Sequence, residues 1–180
     1  MKVTIVMIRI TLATVLLVSL FTASSGQGQP SPHSREALIR AAREIMAEAR
    51  YCALITLDAA GRPQARTLDP FLPDENMVVW LGTNPTSRKV GEIRRNPRVT
   101  LYYFDREGQG YVTISGIARL VNDPKQKSKW WKDEWKVFYP DRARGYLLIA
   151  VTPEKLEVIS EKRGISGDPK NWKPPAVEFL

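Results

Sequence analysis

Two stretches of this chain concentrate cations and hydroxyls: Gln64-Ala65-Arg66-Thr67-Leu68 and Gly82-Thr83-Asn84-Pro85-Thr86-Ser87-Arg88-Lys89. In the second, Thr86, Ser87, Arg88 and Lys89 fall in the first turn of a helix predicted over 86–95. A helix start presents unpaired N–H groups and a partial positive charge, which together suit an anion. Bases in that turn oppose the helix dipole. An anion held against them explains two adjacent ones. A phosphate monoester accepts several hydrogen bonds at once, and Arg, Lys and Ser are apt donors for it. The alternative for the same residues is a charged helix start facing water. Neither a Walker A loop nor a dinucleotide glycine fingerprint is present in this stretch.

Composition narrows the chemistry further. The chain has 180 residues, with one Cys and one His. That excludes an intramolecular disulfide framework and a Cys/His zinc site, and leaves a Cys–His dyad only if His33 is used. His33 lies in a polar stretch, 26–33, that reads as a flexible linker, where a solvated imidazole is expected. No metal site is predicted. Lys and Arg number 27 against 19 Asp and Glu, a net charge of +8. This points to an anionic partner without identifying it. At 43% hydrophobic and 26% charged, the chain is globular in composition and one domain in length.

The N-terminus reads as a targeting segment. Lys2 and Arg9 precede an apolar run over 10–21, and Thr22-Ala23-Ser24-Ser25 follows. A basic start, an apolar run and a small-residue exit make a secretory signal peptide. The run is shorter than the ~20 residues that span a bilayer; an uncleaved anchor is the alternative if it is extended upstream past Arg9. The predicted organisation is a signal peptide over 1–25, a linker over 26–33 and one domain over 34–180. The protein is then exported, periplasmic or secreted, with no stable membrane span after cleavage. Removing Lys2 and Arg9 leaves a charge of +6. The lone Cys52 suits export, because it has no partner to mis-oxidise with.

The elements that must position the cationic stretches follow from periodicity. Residues 34–49 place Leu38, Ala42, Ile45, Met46 and Ala49 on one stripe, a helix with Ser34 as N-cap. Strands are predicted over 51–58, 64–71, 77–81, 99–104 and 111–121, with a last pair over 146–151 and 155–160. Gly116 inside a strand suggests a bulge or a close backbone approach. A helix is predicted over 123–137, and the tail from Glu161 is expected to run over the surface without regular structure. Seven short strands joined mostly by turns favour antiparallel pairing, a small mainly-β barrel with peripheral helices.

Taken in order, Ala53–Thr56, Gly61-Arg62-Pro63, Arg66-Thr67-Leu68, Trp80 through Thr86-Ser87-Arg88-Lys89, and Asn96-Pro97-Arg98-Val99-Thr100-Leu101 form a pattern. Gly116-Ile117-Ala118-Arg119-Leu120-Val121 and Lys173-Pro174-Pro175-Ala176-Val177-Glu178-Phe179 complete it. This pattern resembles the pyridoxamine 5'-phosphate oxidase-like split-barrel flavoproteins, and most closely their general-stress-protein branch, over 35–180. The resemblance implies a split β-barrel of six to seven antiparallel strands. It implies a homodimer with two FMN sites at the subunit interface. It implies that Arg66, Arg88 and Lys89 hold the FMN phosphate, where the residues themselves add Ser87 as a donor, and that Arg66, Thr67 and Leu68 run along the isoalloxazine. Gly82 and Thr83 would flank the flavin and ribityl chain, and Tyr111 would reach the ring.

Two departures from the family bear on activity. A Lys that binds substrate phosphate in the true oxidases is matched here by Phe71, and their C-terminal Arg-x-His motif is missing. Oxidation of B6 vitamers is therefore not expected, and no catalytic residue can be named. The expected function is a flavin-dependent oxidoreductase acting on an unknown small substrate. The alternative is a non-catalytic protein that binds or sequesters flavin or haem. A deazaflavin in place of FMN, or no cofactor, also fits. Trp130, Trp131 and Trp135 lie in Lys-Trp-Trp-Lys-Asp-Glu-Trp-Lys over 129–136. They are expected to pack on the barrel or a partner, the alternatives being an aromatic wall at the flavin or a nucleic-acid stack. Nucleic acid is not an expected partner of an exported chain. Arg94, Arg95, Arg98, Lys125, Lys127 and Lys129 are expected at the solvated surface.

Overall fold

The computed structural model describes residues 33–179, so the predicted signal peptide and all but the last residue of the linker lie outside the described residues. Helix α1 (Arg35–Ala49) starts at Ser34, whose hydroxyl accepts from the Ala37 N–H at 3.2 Å. It buries Ala37, Leu38, Ala41, Ala42, Ile45 and Met46 against the sheet. The strands are β1 (Cys52–Leu57), β2 (Pro63–Leu68), β3 (Val79–Thr83), β4 (Arg98–Asp105), β5 (Gly110–Val121), β6 (Leu147–Ser160) and β7 (Ala176–Glu178). All pair antiparallel in one curled sheet ordered β2-β1-β4-β5-β6-β3, with β7 also on β6. Its two edges meet at a single bridge, Pro70 to Leu81, where the Phe71 N–H donates to the Trp80 carbonyl at 2.9 Å. The split barrel expected from the sequence is the fold.

The inside is filled chiefly from β1, β3, β4, β5 and β6. Leu54, Leu81, Leu101, Ile114, Ile149, Val151, Leu156 and Val158 are fully buried, each contributing about 1.5–3 kcal/mol by removal from water. Helix α2 (Arg88–Arg95) lies against β1 and β5. Among the described residues, no helix is long and apolar enough to cross a membrane.

Three expectations are corrected. The last strand pair is one continuous strand, β6. Pro153 sits opposite Gly116, where the β5–β6 register shifts, and a bulge tolerates the missing proline N–H. The bend lets β6 pair with β3 through Val151–Leu147 and with β7 through Lys155–Glu157. The helix predicted over 123–137 is broken: α3 (Pro124–Lys129) ends at Trp130, and a 3-10 turn (Asp133–Val137) follows. A short α4 (Arg142–Gly145) precedes β6. The tail is not featureless, because β7 docks Val177 into the core. Arg35 fixes it by donating to the Glu178 carbonyl at 2.7 Å.

Arg163, just past β6, bonds Glu44 at 2.8 Å and Glu48 at 2.9 Å on the outer face of α1. With Arg163 and then Lys162 donating to it, the Glu48 carboxyl is pulled down to about 2 from an unfolded value near 4.5. A carboxyl depressed in the folded state binds its proton more readily when unfolded. Its contribution is therefore complete above about pH 4.5 and lost as pH falls through 2. Urea midpoints measured between pH 5 and 2 are expected to fall less steeply in Arg163→Met than in the parent.

Candidate functional site

Strand β2 alternates between the two sides of the sheet. Arg66 pairs across from Leu54 and Gln64 from Thr56, so Arg66 turns towards the inside, next to the Thr56 side chain. Its Nη1 donates to Thr56 Oγ1 at 2.5 Å and to the Gln64 carbonyl at 2.8 Å, and its Nη2 to Glu92 Oε2 at 2.7 Å. The Thr56 hydroxyl donates to the same Glu92 oxygen at 2.5 Å. Glu92 comes from α2, and its side chain is only 6% exposed. Burial works to raise its carboxyl, but the bonds from Thr56 and Arg66 and the nearby charge of Arg88 outweigh it and hold Glu92 below the usual range. The pair is a geometrically fixed ion pair at the barrel end, where removal of one partner costs about 3–5 kcal/mol.

The start of α2 faces this pair. Ser87 is the N-cap, yet its side chain makes no capping bond. Its hydroxyl lies 3.1 Å from Thr83 Oγ1 instead, and Lys89 Nζ donates to that same Thr83 oxygen at 3.1 Å. The helix start therefore keeps its first-turn donors without a side-chain cap. Burial, and then the charge of Arg66, holds the Lys89 amine below the ordinary lysine range; Arg88 adds to this and Glu92 opposes it. Three cations, Arg66, Arg88 and Lys89, thus stand against one carboxylate, a surplus of two charges. A phosphate monoester brings a comparable negative charge at neutral pH. The donor set, the charge surplus and the uncapped helix start fit the phosphate of a flavin mononucleotide.

Gly82 shows how the neighbouring surface is built. A Cβ there would stand 2.5 Å from Trp135 Cζ3 and 2.8 Å from the Tyr146 ring. Both rings cover the strand because the position has no side chain. Trp135 is pinned by its indole N–H donating to Asp69 Oδ2 at 3.1 Å, and Lys132 Nζ binds Asp69 Oδ1 at 2.7 Å. Thr67, Leu68 and Gly82 line a cleft of about 520 Å3 together with Trp135, Phe138 and Tyr139. The three tryptophans pack into a cluster with Phe71, Trp80, Tyr139 and Tyr146, as expected of a packing role, and Trp135 also forms a wall of this cleft.

The structure thus brings together Arg66, Thr83, Ser87 and Lys89, with Arg88 beside them, and places Thr67, Leu68 and Gly82 on one cleft, whose lining includes none of those five. It does not bring Tyr111 to them within one chain. Tyr111 sits on the outer face of β5 against Tyr102, ring centres 5.7 Å apart, with β4 and β1 between it and β2. Sequence reasoning missed Glu92, Thr56, Asp69 and Lys132. Thr56 carried a signal: it is the polar member of an inward alternation Cys52, Leu54, Thr56. Cys52 is buried, and burial pushes its thiol up to about 12, so it stays a thiol and is no nucleophile.

The family described as pyridoxamine 5'-phosphate oxidase matches residues 38–160, more than half of the chain. General stress protein 26 of Bacillus subtilis is 28% identical over 112 residues, covering 59% of this chain and 79% of that protein. A pyridoxine/pyridoxamine 5'-phosphate oxidase of Streptomyces avermitilis is 27% identical over 160 residues, 77% of this chain and 67% of that protein. Among solved structures, a pyridoxamine 5'-phosphate oxidase-related, FMN-binding protein of Nostoc punctiforme superposes with a TM-score of 0.61 at 16% identity. That match covers 81% of this chain and 96% of the other, and it bears on the fold.

Proposed function

We propose that this chain, which belongs to the pyridoxamine 5'-phosphate oxidase family, binds FMN and acts as a flavin-dependent oxidoreductase on a small substrate other than a B6 vitamer. The observation that carries the reading is the surplus of Arg66, Arg88 and Lys89 over Glu92 at an uncapped helix start. Arg88, Lys89 and Ser87 would hold the phosphate, with Arg66 kept in place by Glu92 and Thr56. Thr67, Leu68 and Gly82 would border the ring, and Trp135 would exclude water from its edge. Bound there, the flavin supplies the redox chemistry and the chain supplies position and electrostatics. Phe71 stands where the resemblance puts a phosphate-binding Lys, and it packs edge-on against Trp130 and Trp135 at 5.1 and 5.3 Å. An apolar aromatic at that point disfavours a phosphorylated substrate.

The reading includes a homodimer. The outer sheet face carries Ile55, Leu57, Tyr102, Phe104 and Tyr111, with Phe104 57% exposed. A second copy covering that face would bury it and bring a Tyr111 towards the other copy's site. The reading also includes export, carried by the pattern of residues 1–25.

The test is titration of purified protein with FMN, followed by visible absorption and by sedimentation. Saturable perturbation of the flavin bands with a Kd well below 100 μM, about −5.5 kcal/mol, and a dimeric mass are expected. No flavin affinity at that concentration would overturn the reading. Reduction of the bound flavin by NADH or NADPH is expected of the enzyme; flavin binding without reduction by any donor would leave a binding protein.

A further inference from the structure

A second cationic site lies in the segment between β5 and β6, away from the Arg66 cluster. A cavity of about 510 Å3 is bounded by Asn122, Pro124, Lys127, Ser128, Arg142 and Ala143. Lys127 was expected at the solvated surface. It is instead buried, 7% exposed. Its Nζ donates to Asn122 Oδ1 at 3.1 Å and to the Ala143 carbonyl at 2.8 Å, which leaves the third N–H without a partner among the described residues. Arg142 stands beside it, one Nη donating to the Lys127 carbonyl at 2.5 Å.

No carboxylate compensates these charges. None of the lining residues is acidic, and among the described residues neither Lys127 nor Arg142 forms an ion pair. The two acids nearest in sequence are committed elsewhere. Asp123 accepts from the Gln126 N–H at 2.8 Å as the cap of α3. Asp141 caps α4 and bonds Arg144 Nε at 2.6 Å. Exposed Lys125 and Lys129 add positive charge on the same short helix. Withdrawing an ammonium from water without a counter-charge is costly, and a neutral donor would join α3 to α4 at lower cost. Unused donors of Lys127 and Arg142, with the Ser128 hydroxyl, border a cavity in the size range of small-molecule sites.

We infer that this cavity binds an oxyanion, the carboxylate or phosphate group of a small molecule, between Lys127 and Arg142. The site is distinct from the flavin phosphate cradle and does not depend on it. It connects to the aromatic cluster: the Arg142 guanidinium lies 4.3 Å over the Trp131 ring, and Trp131 meets Trp135 edge-on at 6.4 Å. An anion that draws Arg142 towards Lys127 changes the surroundings of Trp131, which makes tryptophan fluorescence a direct readout.

The experiment uses purified protein carrying Arg88→Ala and Lys89→Ala, so that the first cradle is silent. Inorganic phosphate and acetate are titrated separately at constant ionic strength, and tryptophan emission is recorded. A saturable change with at least one of them is expected, and the anion that produces it identifies the group. Lys127→Gln keeps neutral hydrogen bonds to Asn122 and Ala143 and removes the charge. It is expected to weaken binding at least tenfold while the unliganded melting temperature holds or rises. Arg142→Gln is expected to weaken binding similarly and serves alone if Lys127→Gln does not fold. Absence of a saturable change with either anion, or an unaltered titration in both variants, overturns the inference. Titration of the parent with FMN is read separately, so either conclusion can fail while the other stands.

Discussion

Replacing Arg88 and Lys89 together by Ala is expected to lower FMN affinity at least 100-fold while leaving the fold intact. Each residue would place a charged donor on the phosphate, and a hydrogen bond to a charged group is worth about 1.5–3 kcal/mol. Two such losses amount to roughly a factor of 10² to 10⁴ in the dissociation constant. The fold should not suffer, because bases in the first turn of α2 oppose its dipole and the Lys89 amine is held in an unfavourable setting by burial and by Arg66. The double variant is expected to melt at the parental temperature or above it in the absence of flavin. Retention of FMN affinity within threefold would remove the cradle from the site. Arg66 is a poorer probe: truncating it strands the Glu92 carboxylate, 6% exposed, without its ion-pair partner, and a loss of binding would be confounded with a loss of stability.

Gly116→Ala is expected to destabilise the protein by about 3 kcal/mol or more, seen as a lowered urea midpoint and lower soluble yield. A Cβ at Gly116 would stand 2.2 Å from the Thr152 carbonyl oxygen and 3.0 Å from its carbon. Both are backbone atoms of β6 at the bulge and cannot rotate away. Relief requires β5 and β6 to separate where β6 passes from its β7 partner to its β3 partner. Gly91→Ala is the control. Inside α2, the nearest atom to its Cβ is the flexible end of Arg95 at 3.9 Å. Helix propensity then favours Ala by about 1 kcal/mol, and stability is expected to hold or rise.

The barrel and half of the site were legible in the sequence for the same reason: both rest on local patterns. Antiparallel strands joined by short turns announce themselves by alternation, and Ser87-Arg88-Lys89 announce themselves by standing at a helix start. Glu92 did not, because an acid on a polar helix is ordinary in one dimension. Its meaning appears only when α2 lies across β1 and its carboxylate meets Thr56 and Arg66. The merging of two predicted strands into β6 failed on Pro153, which reads as a break unless a bulge partner is known. Lys127 was misplaced because nothing local shows that α4 will fold back over α3 and close around its amine. The break after Trp130 has a tertiary cause as well. The chain turns there so that Trp130 stacks on Trp80, ring centres 5.2 Å apart, while Trp135 returns to cover Gly82. β7 is three residues long and follows Pro174-Pro175, too short a span for a periodic signal.

The position of Glu92 bears on the order of events in the life of the chain. A cradle of three cations with no internal anion would repel itself while empty, and folding would have to wait for the cofactor. Here one carboxylate, carried on the helix that supplies two of the cations, offsets part of that repulsion and aligns Arg66 beforehand. Arg66 is thus held in position before any ligand arrives, so folding need not wait for the proposed cofactor. If flavin binds as proposed, that sequence of steps separates survival of the fold from supply of the cofactor.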